Sequence, residues 1–242
     1  MSTLFISDLH LSSEQPGITR LFLNFLRQQA RQAEALYILG DLFETWIGDD
    51  NGNPYHENII SALAELTESG VVTYFMPGNR DFLIGKRFIQ QTGCHYLADP
   101  TVINLYGNST LLTHGDSFCN LDKDYQRYRR WSRYPFWQKL FLCLPVAWRQ
   151  KIANCLRGQE HSTPSVNAAK YDVVISDLLA CLSDYPDTQQ IIHGHTHLPS
   201  IQLIKKSDNT WIKRWVLSDW SAKQGNVLVA HADQTLELIY FN

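Results

Sequence analysis

The 242-residue chain contains no apolar run long enough to cross a bilayer. It opens on a strand-like segment, "TLFISDLHLS", with no signal peptide legible ahead of it. It also lacks a dominant charge: 21 basic residues against 24 acidic ones leave a formal net charge of -3, so nothing global suggests a nucleic-acid binder. The five cysteines (Cys94, Cys119, Cys143, Cys155, Cys181) are scattered, odd in number and never in CxxC spacing. That excludes a disulfide framework and a thiolate zinc site, and reads as reduced thiols in a cytoplasmic protein. No internal repeat or low-complexity linker divides the chain. A single domain over 1–242, with an insertion, is the expectation, and the length suffices to bury a sizeable core.

What is present is strand–helix alternation. "TLFIS", "ALYILGD", "VVTYFMPGN" and "STLLTHGD" are short apolar runs, as expected of strands covered on both faces. "GITRLFLNFLRQQARQA" has helical spacing, with Leu21, Phe22, Phe25 and Leu26 on one side, and "HENIISALAELTESG" reads as a helix closed by Gly70. Four short strands follow in the C-terminal part, within "IIHGHTHLPSIQLI", "WIKRWVLSDW", "NVLVAHA" and "TLELIYFN". The alternation predicts an α/β layered fold. Residues from about 120 to 170 break it. This stretch is aromatic and basic, with Arg127, Arg129, Arg130, Arg133, Lys139, Arg149, Lys151 and Arg157 around "PFWQKLFLCLPVAW". It predicts a helical insertion over the ligand edge of the sheet.

The chemistry collects where strands end, the usual place for ligands in α/β sheets. Asp8 and His10 are two apart and predicted to project to one side of an extended segment, and His195 and His197 repeat that spacing. Gly194 is expected to allow close backbone approach between His193 and His195. Asp41 follows Gly40, Asn79 offers a neutral amide oxygen, and His114 precedes Gly115. The inventory is two carboxylates, one amide and four imidazoles, without a thiolate. Mixed N/O donors suit Mn²⁺, Fe²⁺, Co²⁺ or Zn²⁺ better than Ca²⁺. This exceeds the needs of one ion and suits two ions sharing a carboxylate. Any one piece has a bland reading, since Asp-x-His occurs by chance and Gly-Asp is often a turn.

Together and in order, the pieces DLH, GDLFE, GNRD, THGD and GHTH resemble the calcineurin-like metallophosphoesterase superfamily. Over essentially the whole chain, "LFISDLHL", "ALYILGDLFETWIGDD", "GNRDFLIGKRF", "HGDSFC" and "IHGHTHLP" resemble the UDP-2,3-diacylglucosamine diphosphatase family of lipid A biosynthesis. The resemblance implies a sandwich of two mixed sheets flanked by helices and capped by a helical lid. It implies cleavage of UDP-2,3-diacylglucosamine to UMP and 2,3-diacylglucosamine 1-phosphate with two Mn²⁺ per chain. It also implies an enzyme peripheral to the cytoplasmic side of the inner membrane. Carried over, one ion takes Asp8, His10, Asp41 and His197, and the other Asp41, Asn79, His114 and His195. Substrate contacts carry over to Asn79, Arg80, Asp122, Thr163, Asn167, Lys170 and His195, with Asn79, Arg80 and His195 in catalysis. Phe136, Trp137, Leu140, Phe141, Leu144 and Trp148 are expected to line an acyl groove or touch a bilayer.

One position departs from the superfamily pattern. "GNRD" has Arg80 where a histidine commonly stands to protonate an ester leaving group. A phosphate leaving group, with its second pKa of about 6, departs as an anion without that proton. It needs fixed positive charge, which arginine supplies as a bidentate fork. Arg80 therefore suits diphosphate cleavage; the plainer reading is an ion pair with a neighbour such as Asp81. Asp81 and Asp116 are expected to orient ligands from behind. His193 is expected to support the site, and His56, His95, His161 and His231 to be surface or core residues.

Overall fold

A computed structural model describes residues 2–119, 123–161, 173–206 and 208–242, with backbone alone for 124 and 157–161. Its strands in chain order are Ser2–Ile6 (β1), Ala35–Leu39 (β2), Val72–Met76 (β3), His95–Tyr96 (β4), Thr101–Leu105 (β5), Asn108–Thr113 (β6), Gln190–His193 (β7), Ser200–Lys205 (β8), Trp211–Val216 (β9), Gly225–His231 (β10) and Leu236–Phe241 (β11). The helices are Pro16–Gln28 (α1), Pro54–Glu68 (α2), Lys86–Thr92 (α3), Lys123–Ser132 (α4), Pro135–Leu142 (α5), Val146–His161 (α6) and Ile175–Ser183 (α7). One sheet has the order β11-β10-β1-β2-β3-β4 and the other β5-β6-β7-β9-β8. Both are mixed: β1, β2 and β3 run parallel, as do β6, β7 and β9, while β10 and β8 pair antiparallel at their flanks.

Side-chain alternation along the strands builds the layers. Leu4 and Ile6 of β1 and Leu36 and Ile38 of β2 pack with Phe22, Phe25, Ile59, Leu63 and Phe88 beneath α1, α2 and α3. The intervening Phe5, Tyr37 and Leu39 face the second sheet and meet Leu112, Ile192 and Trp215. The opposite face of that sheet turns Leu111, Ile191 and Ile212 onto Leu178 and Leu182 of α7. Each such side chain removed from water stabilises the fold by about 1.5–3 kcal/mol. The result is a helix–sheet–sheet–helix sandwich. The central strands β1, β2, β7 and β10 are buried along nearly their whole length because both faces are covered.

Helix ends follow the local chemistry. Asn53 caps α2, its Oδ1 accepting from the Tyr55 N–H at 3.0 Å, with Pro54 at the first helical position. Gly70, at φ 98°, lets the chain turn back after the Ser69 cap. The short β4 carries no readable period, and α3 depends on Asp49, whose Oδ2 accepts from the Arg87 and Phe88 N–H groups at 2.9 and 3.2 Å.

Among the described residues, the stretch expected as a helical insertion holds α4, α5 and α6. Ion pairs tie it down. Arg149 on α6 is 1% exposed and donates to both oxygens of Asp50 and to the Ile47 carbonyl. Arg129 on α4 donates to Asp116 Oδ2 at 2.7 Å, and Arg133 just beyond it donates to the same oxygen at 3.2 Å and to Gly78 O at 2.9 Å. Of the residues expected at an acyl groove or a bilayer, Phe136, Leu140 and Trp148 are exposed, while Trp137, Phe141 and Leu144 are half-buried.

Of the histidines expected to lie outside the site, His95 is exposed, His231 pairs with Glu237 at 2.8 Å, and His56 is buried against Phe43 and Trp46. Burial drives the His56 pKa down to about 4 from 6.5, so it is neutral in the fold. Above about pH 6.5 it costs nothing. Between roughly pH 6.5 and 4 only the unfolded chain takes the proton, and stability falls by up to about 1.4 kcal/mol per pH unit. Urea unfolding across that window should show a His56→Phe variant losing less stability than the wild type; equal pH slopes would refute the assignment.

Candidate metal centre

The parallel strands of both sheets deliver their carboxyl ends to one edge. Beyond β1 and β2 the two backbones stay zipped. The Asp8 N–H donates to Gly40 O at 3.1 Å, His10 N–H to Asp41 O at 3.0 Å and Leu11 N–H to Leu42 O at 2.9 Å. Beyond β6 and β7 the second sheet is zipped likewise, Gly194 N–H donating to His114 O at 3.1 Å, and Trp220 N–H and His195 N–H reach across to Asp8 O at 3.2 Å and Asp8 Oδ2 at 2.8 Å.

Within this frame Asp8, His10, Asp41, His195 and His197 have φ of 55°, 49°, 54°, 69° and 55°. This corrects the extended geometry expected from the Asp-x-His spacing. The residues of each pair are left-handed, and a left-handed backbone turns the two side chains inward together. Asp and His are among the non-glycine residues most often found there. A second correction concerns Gly194. A Cβ at this residue would strike Asp8 Oδ2 and Ser7 Oγ, so the glycine makes room for the carboxylate across the site, not for its own neighbours. At Gly40, φ 88°, a Cβ would stand 2.5 Å from His114 Nδ1.

All seven sequence-nominated donors converge, in two groups. In Asp8, His10 and His197, one ligand atom from each lies within 4.8 Å of the others, and the same holds for Asp41, His114 and His195. Asp41 lies between them, with Oδ2 3.9 Å from His10 Nε2 and Oδ1 3.7 Å from His114 Nε2. Asn79 Oδ1 joins the second group at 2.9 Å from His114 Nε2.

The lone pairs in these groups fit divalent cations. Asp8 Oδ2 accepts from Ser7 Oγ at 2.6 Å and from the His195 N–H at 2.8 Å, whereas buried Oδ1 has no hydrogen-bond partner and faces His197 Nε2 at 3.5 Å. His10 Nε2 and His197 Nε2 meet at 3.3 Å. His114 donates from Nδ1 to Leu39 O at 2.9 Å, which turns Nε2 into the donor cluster, 2.9 Å from Asn79 Oδ1. Nitrogen and oxygen donors without sulfur suit a first-row transition ion.

A family model of calcineurin-like phosphoesterases matches residues 1–199. The chain belongs to that family. A protein of Photobacterium profundum named UDP-2,3-diacylglucosamine hydrolase is 46% identical over 234 residues, covering 96% of this chain and 94% of the relative. One of the same name from Ectopseudomonas mendocina is 47% identical over 223 residues, 92% and 91% of the two chains. A solved archaeal phosphodiesterase shares the fold, with a TM-score of 0.50 at 12% identity and complete coverage of both chains.

As in other calcineurin-like phosphoesterases, the chemistry of the centre requires a divalent metal, and the electrostatics of this chain favour one. Burial opposes charge on His114, but Asp41, Asp8 and Asp116 raise its pKa to about 9. Burial pushes Asp8 upward, yet His197, His114 and His10 hold it well below the carboxylate range. The cavity thus stabilises positive charge. Burial and the neighbouring His114 bring His195 down to about 4, leaving a neutral imidazole with a free lone pair.

The supporting residues divide unevenly. Asp81 does orient the site: its Oδ2 accepts from the Leu42 N–H at 2.8 Å and its Oδ1 from the Gly78 N–H at 2.7 Å, joining the loops that carry Asp41 and Asn79. Asp116 instead anchors Tyr125, Arg129 and Arg133. His193 is buried, accepts from Arg214 Nε at 2.8 Å and bonds through Nδ1 to the Gly194 carbonyl at 2.8 Å, a supporting contact behind His195. The sequence reading missed two carboxylates behind the imidazoles. Glu44 Oε2 is 3.0 Å from His10 Nδ1, and Asp219 Oδ2 is 3.7 Å from His197 Nδ1. Glu44 was visible as the last letter of GDLFE; Asp219 lies in "LSDW" with no motif to flag it.

Arg80 stands at the rim. Its backbone N–H donates to Asp41 Oδ1 at 2.8 Å, and its Nη1 is 3.8 Å from Glu44 Oε1, so among the described residues it faces Glu44 where the plainer reading expected a neighbour such as Asp81. Asp122, Thr163, Asn167 and Lys170 lie outside the described residues.

Because Gly194 leaves no room for a methyl group, Gly194→Ala should displace Asp8. Overpacking of this kind costs about 1–3 kcal/mol. Titration calorimetry with Mn²⁺ as the probe cation should show weaker binding than in the wild type; unchanged affinity would rule out the close approach.

Proposed function

We propose that this chain hydrolyses UDP-2,3-diacylglucosamine at its diphosphate, giving UMP and 2,3-diacylglucosamine 1-phosphate, with two Mn²⁺ as its ions. The observation that carries the reading is that near-full-length relatives of that name align with a chain whose Asp41 lies between two donor groups, 3.9 Å from His10 Nε2 and 3.7 Å from His114 Nε2. Asp8, His10, Asp41 and His197 would hold one ion, and Asp41, Asn79, His114 and His195 the other. Bound there, the pair supplies Lewis-acid charge and lowers the pKa of an attacking water.

The chain's own residues do the rest. Water adds to the α-phosphorus, the bond from that phosphorus to the bridging oxygen breaks, and the sugar phosphate leaves as an anion. Arg80, partly exposed at the rim, binds that phosphate with a guanidinium fork, so no acid is needed at the position where the superfamily commonly has histidine. Asn79 and neutral His195 present lone pairs on the opposite side of Asp41 from His10. Asp122, Thr163, Asn167 and Lys170 are proposed to complete the substrate contacts.

The acyl chains need apolar surface. Helices α4–α6 offer Trp131, Phe136, Leu140 and Trp148 at 52%, 59%, 52% and 64% exposure, far more than a helix packed only on its own core would leave. These helices are proposed as a lid that takes the acyl chains and rests on the anionic inner-membrane surface, with Arg127, Arg130 and Lys139 exposed nearby. No helix among the described residues is long and apolar enough to cross a membrane.

Incubation with UDP-2,3-diacylglucosamine and Mn²⁺ in ¹⁸O-water should yield UMP carrying the label, as read by mass spectrometry. Label in the sugar phosphate would place attack at the other phosphorus, and an untouched substrate would dismiss the function. Asp41→Ala should abolish turnover and loosen both ions, whereas a full metal complement with substantial activity would contradict the shared carboxylate.

Arg80→Ala should lower kcat/KM on the diphosphate roughly ten- to a hundred-fold, equivalent to about 1.5–3 kcal/mol for a lost charge-assisted contact. Arg80→Lys should recover part of that loss. Arg80→His should shift preference toward aryl phosphodiesters, and an unchanged preference with metals bound would leave Arg80 as a positioning residue.

A further inference from the structure

Glu44 stands between the donor cluster and the cation at the rim. Its Oε2 is 3.0 Å from His10 Nδ1, and its Oε1 is 3.8 Å from Arg80 Nη1. The other nitrogen of the same ring, Nε2, faces His197 Nε2 at 3.3 Å and Asp41 Oδ2 at 3.9 Å. The carboxylate is thus behind the imidazole and outside the donor set. Its backbone is fixed as well: the Glu44 N–H donates to Leu11 O at 3.1 Å, immediately after His10 in the zipped pair of loops. The three side chains of His10, Glu44 and Arg80 are 16%, 24% and 27% exposed, so the contacts are partly shielded from water.

We propose that Glu44 is a positioning residue that couples the first donor group to Arg80. One carboxylate oxygen, at ion-pair distance 3.0 Å from His10 Nδ1, favours the proton on that nitrogen and so holds the Nε2 lone pair toward Asp8 and His197. Outer partners of this kind fix both tautomer and ring orientation. The other oxygen restrains the guanidinium, a side chain rich in rotamers, near the place where the leaving phosphate must bind. Restraint before binding removes part of the ordering cost from the substrate's affinity. Metal and leaving-group sites are then set by one side chain. This rests on the two-ion diphosphatase reading above and adds a residue to it.

Two substitutions separate the roles. Glu44→Gln keeps an amide oxygen for His10 and removes the charge opposite Arg80, whereas Glu44→Ala removes both. By Mn²⁺ titration calorimetry, Glu44→Ala should weaken one of two sites by about 10–100-fold, and Glu44→Gln should recover most of that loss. At saturating Mn²⁺, both variants should lose kcat/KM on UDP-2,3-diacylglucosamine more than on bis(p-nitrophenyl) phosphate. That extra loss should vanish in an Arg80→Ala background. A general packing defect would give neither the recovery by Gln nor the dependence on Arg80. Wild-type metal affinity in Glu44→Ala, or an equal loss with and without Arg80, overturns the coupling while the wild type still binds Mn²⁺ and turns over. A wild type that does neither overturns the functional reading and this one with it. If Glu44→Ala fails to fold, as judged by melting of the EDTA-treated protein, the Gln variant and its Arg80 dependence alone decide.

Discussion

The site depends on a backbone that L-residues disfavour. Asp8, His10, Asp41, His195 and His197 all have φ between 49° and 69°. Left-handed conformations cost non-glycine residues roughly 1–2 kcal/mol each. Two features offset the cost. The loops hydrogen-bond to each other where the sheets end, as Asp8 does with Gly40 and Gly194 with His114. Glycines at 40, 78 and 194 then let carboxylate and imidazole approach backbone closely, with Asp41 lodged against Gly78 and Asp8 against Gly194. Five of the eight non-glycine residues with positive φ among the described residues thus lie at the edge where donors must converge; Tyr106, Asn209 and Gln234 lie in turns elsewhere.

Charge follows from that convergence. Asp8, Asp41, Asp81 and Asp116 are all buried within the same edge, and His114 is driven toward the protonated form by three of them. Buried carboxylates at this density require compensation. Asp81 meets part of it with backbone N–H groups, Asp116 meets it with Arg129 and Arg133, and Asp8 and Asp41 leave oxygens turned toward the imidazoles. The distribution separates structural from functional carboxylates: Asp81 and Asp116 accept from backbone, tyrosine or arginine donors that tie elements together, and Asp8 and Asp41 turn oxygens to where cations fit.

The same ion pairs connect the centre to the surface. Arg133 touches both Asp116 and the Gly78 carbonyl, one residue before Asn79, so α4 is anchored on the loop that carries a donor. Arg149 anchors α6 on Asp50, in the loop that begins with Asp41 and Glu44. The exposed aromatic face of α4–α6 is therefore presented on a base shared with the donor loops.

The sequence by itself determined the layered α/β class, because apolar runs of strand length alternating with helical periods such as Leu21, Phe22, Phe25 and Leu26 admit few other arrangements. It also nominated all seven donors, because Asp, His and Asn at strand ends beside glycine keep their chemistry whatever the rotamer. Tertiary structure decided the rest. The Asp-x-His pairs converge through left-handed turns and not through strand alternation, since hydrogen bonds between chains distant in sequence override the local extended preference. Glu44 and Asp219 became partners of His10 and His197 only when separate loops met. Asp116 turned from a ligand-orienting candidate into an anchor for Arg129 and Arg133, because which buried cation neutralises a carboxylate is settled by packing between elements and leaves no local trace in the chain.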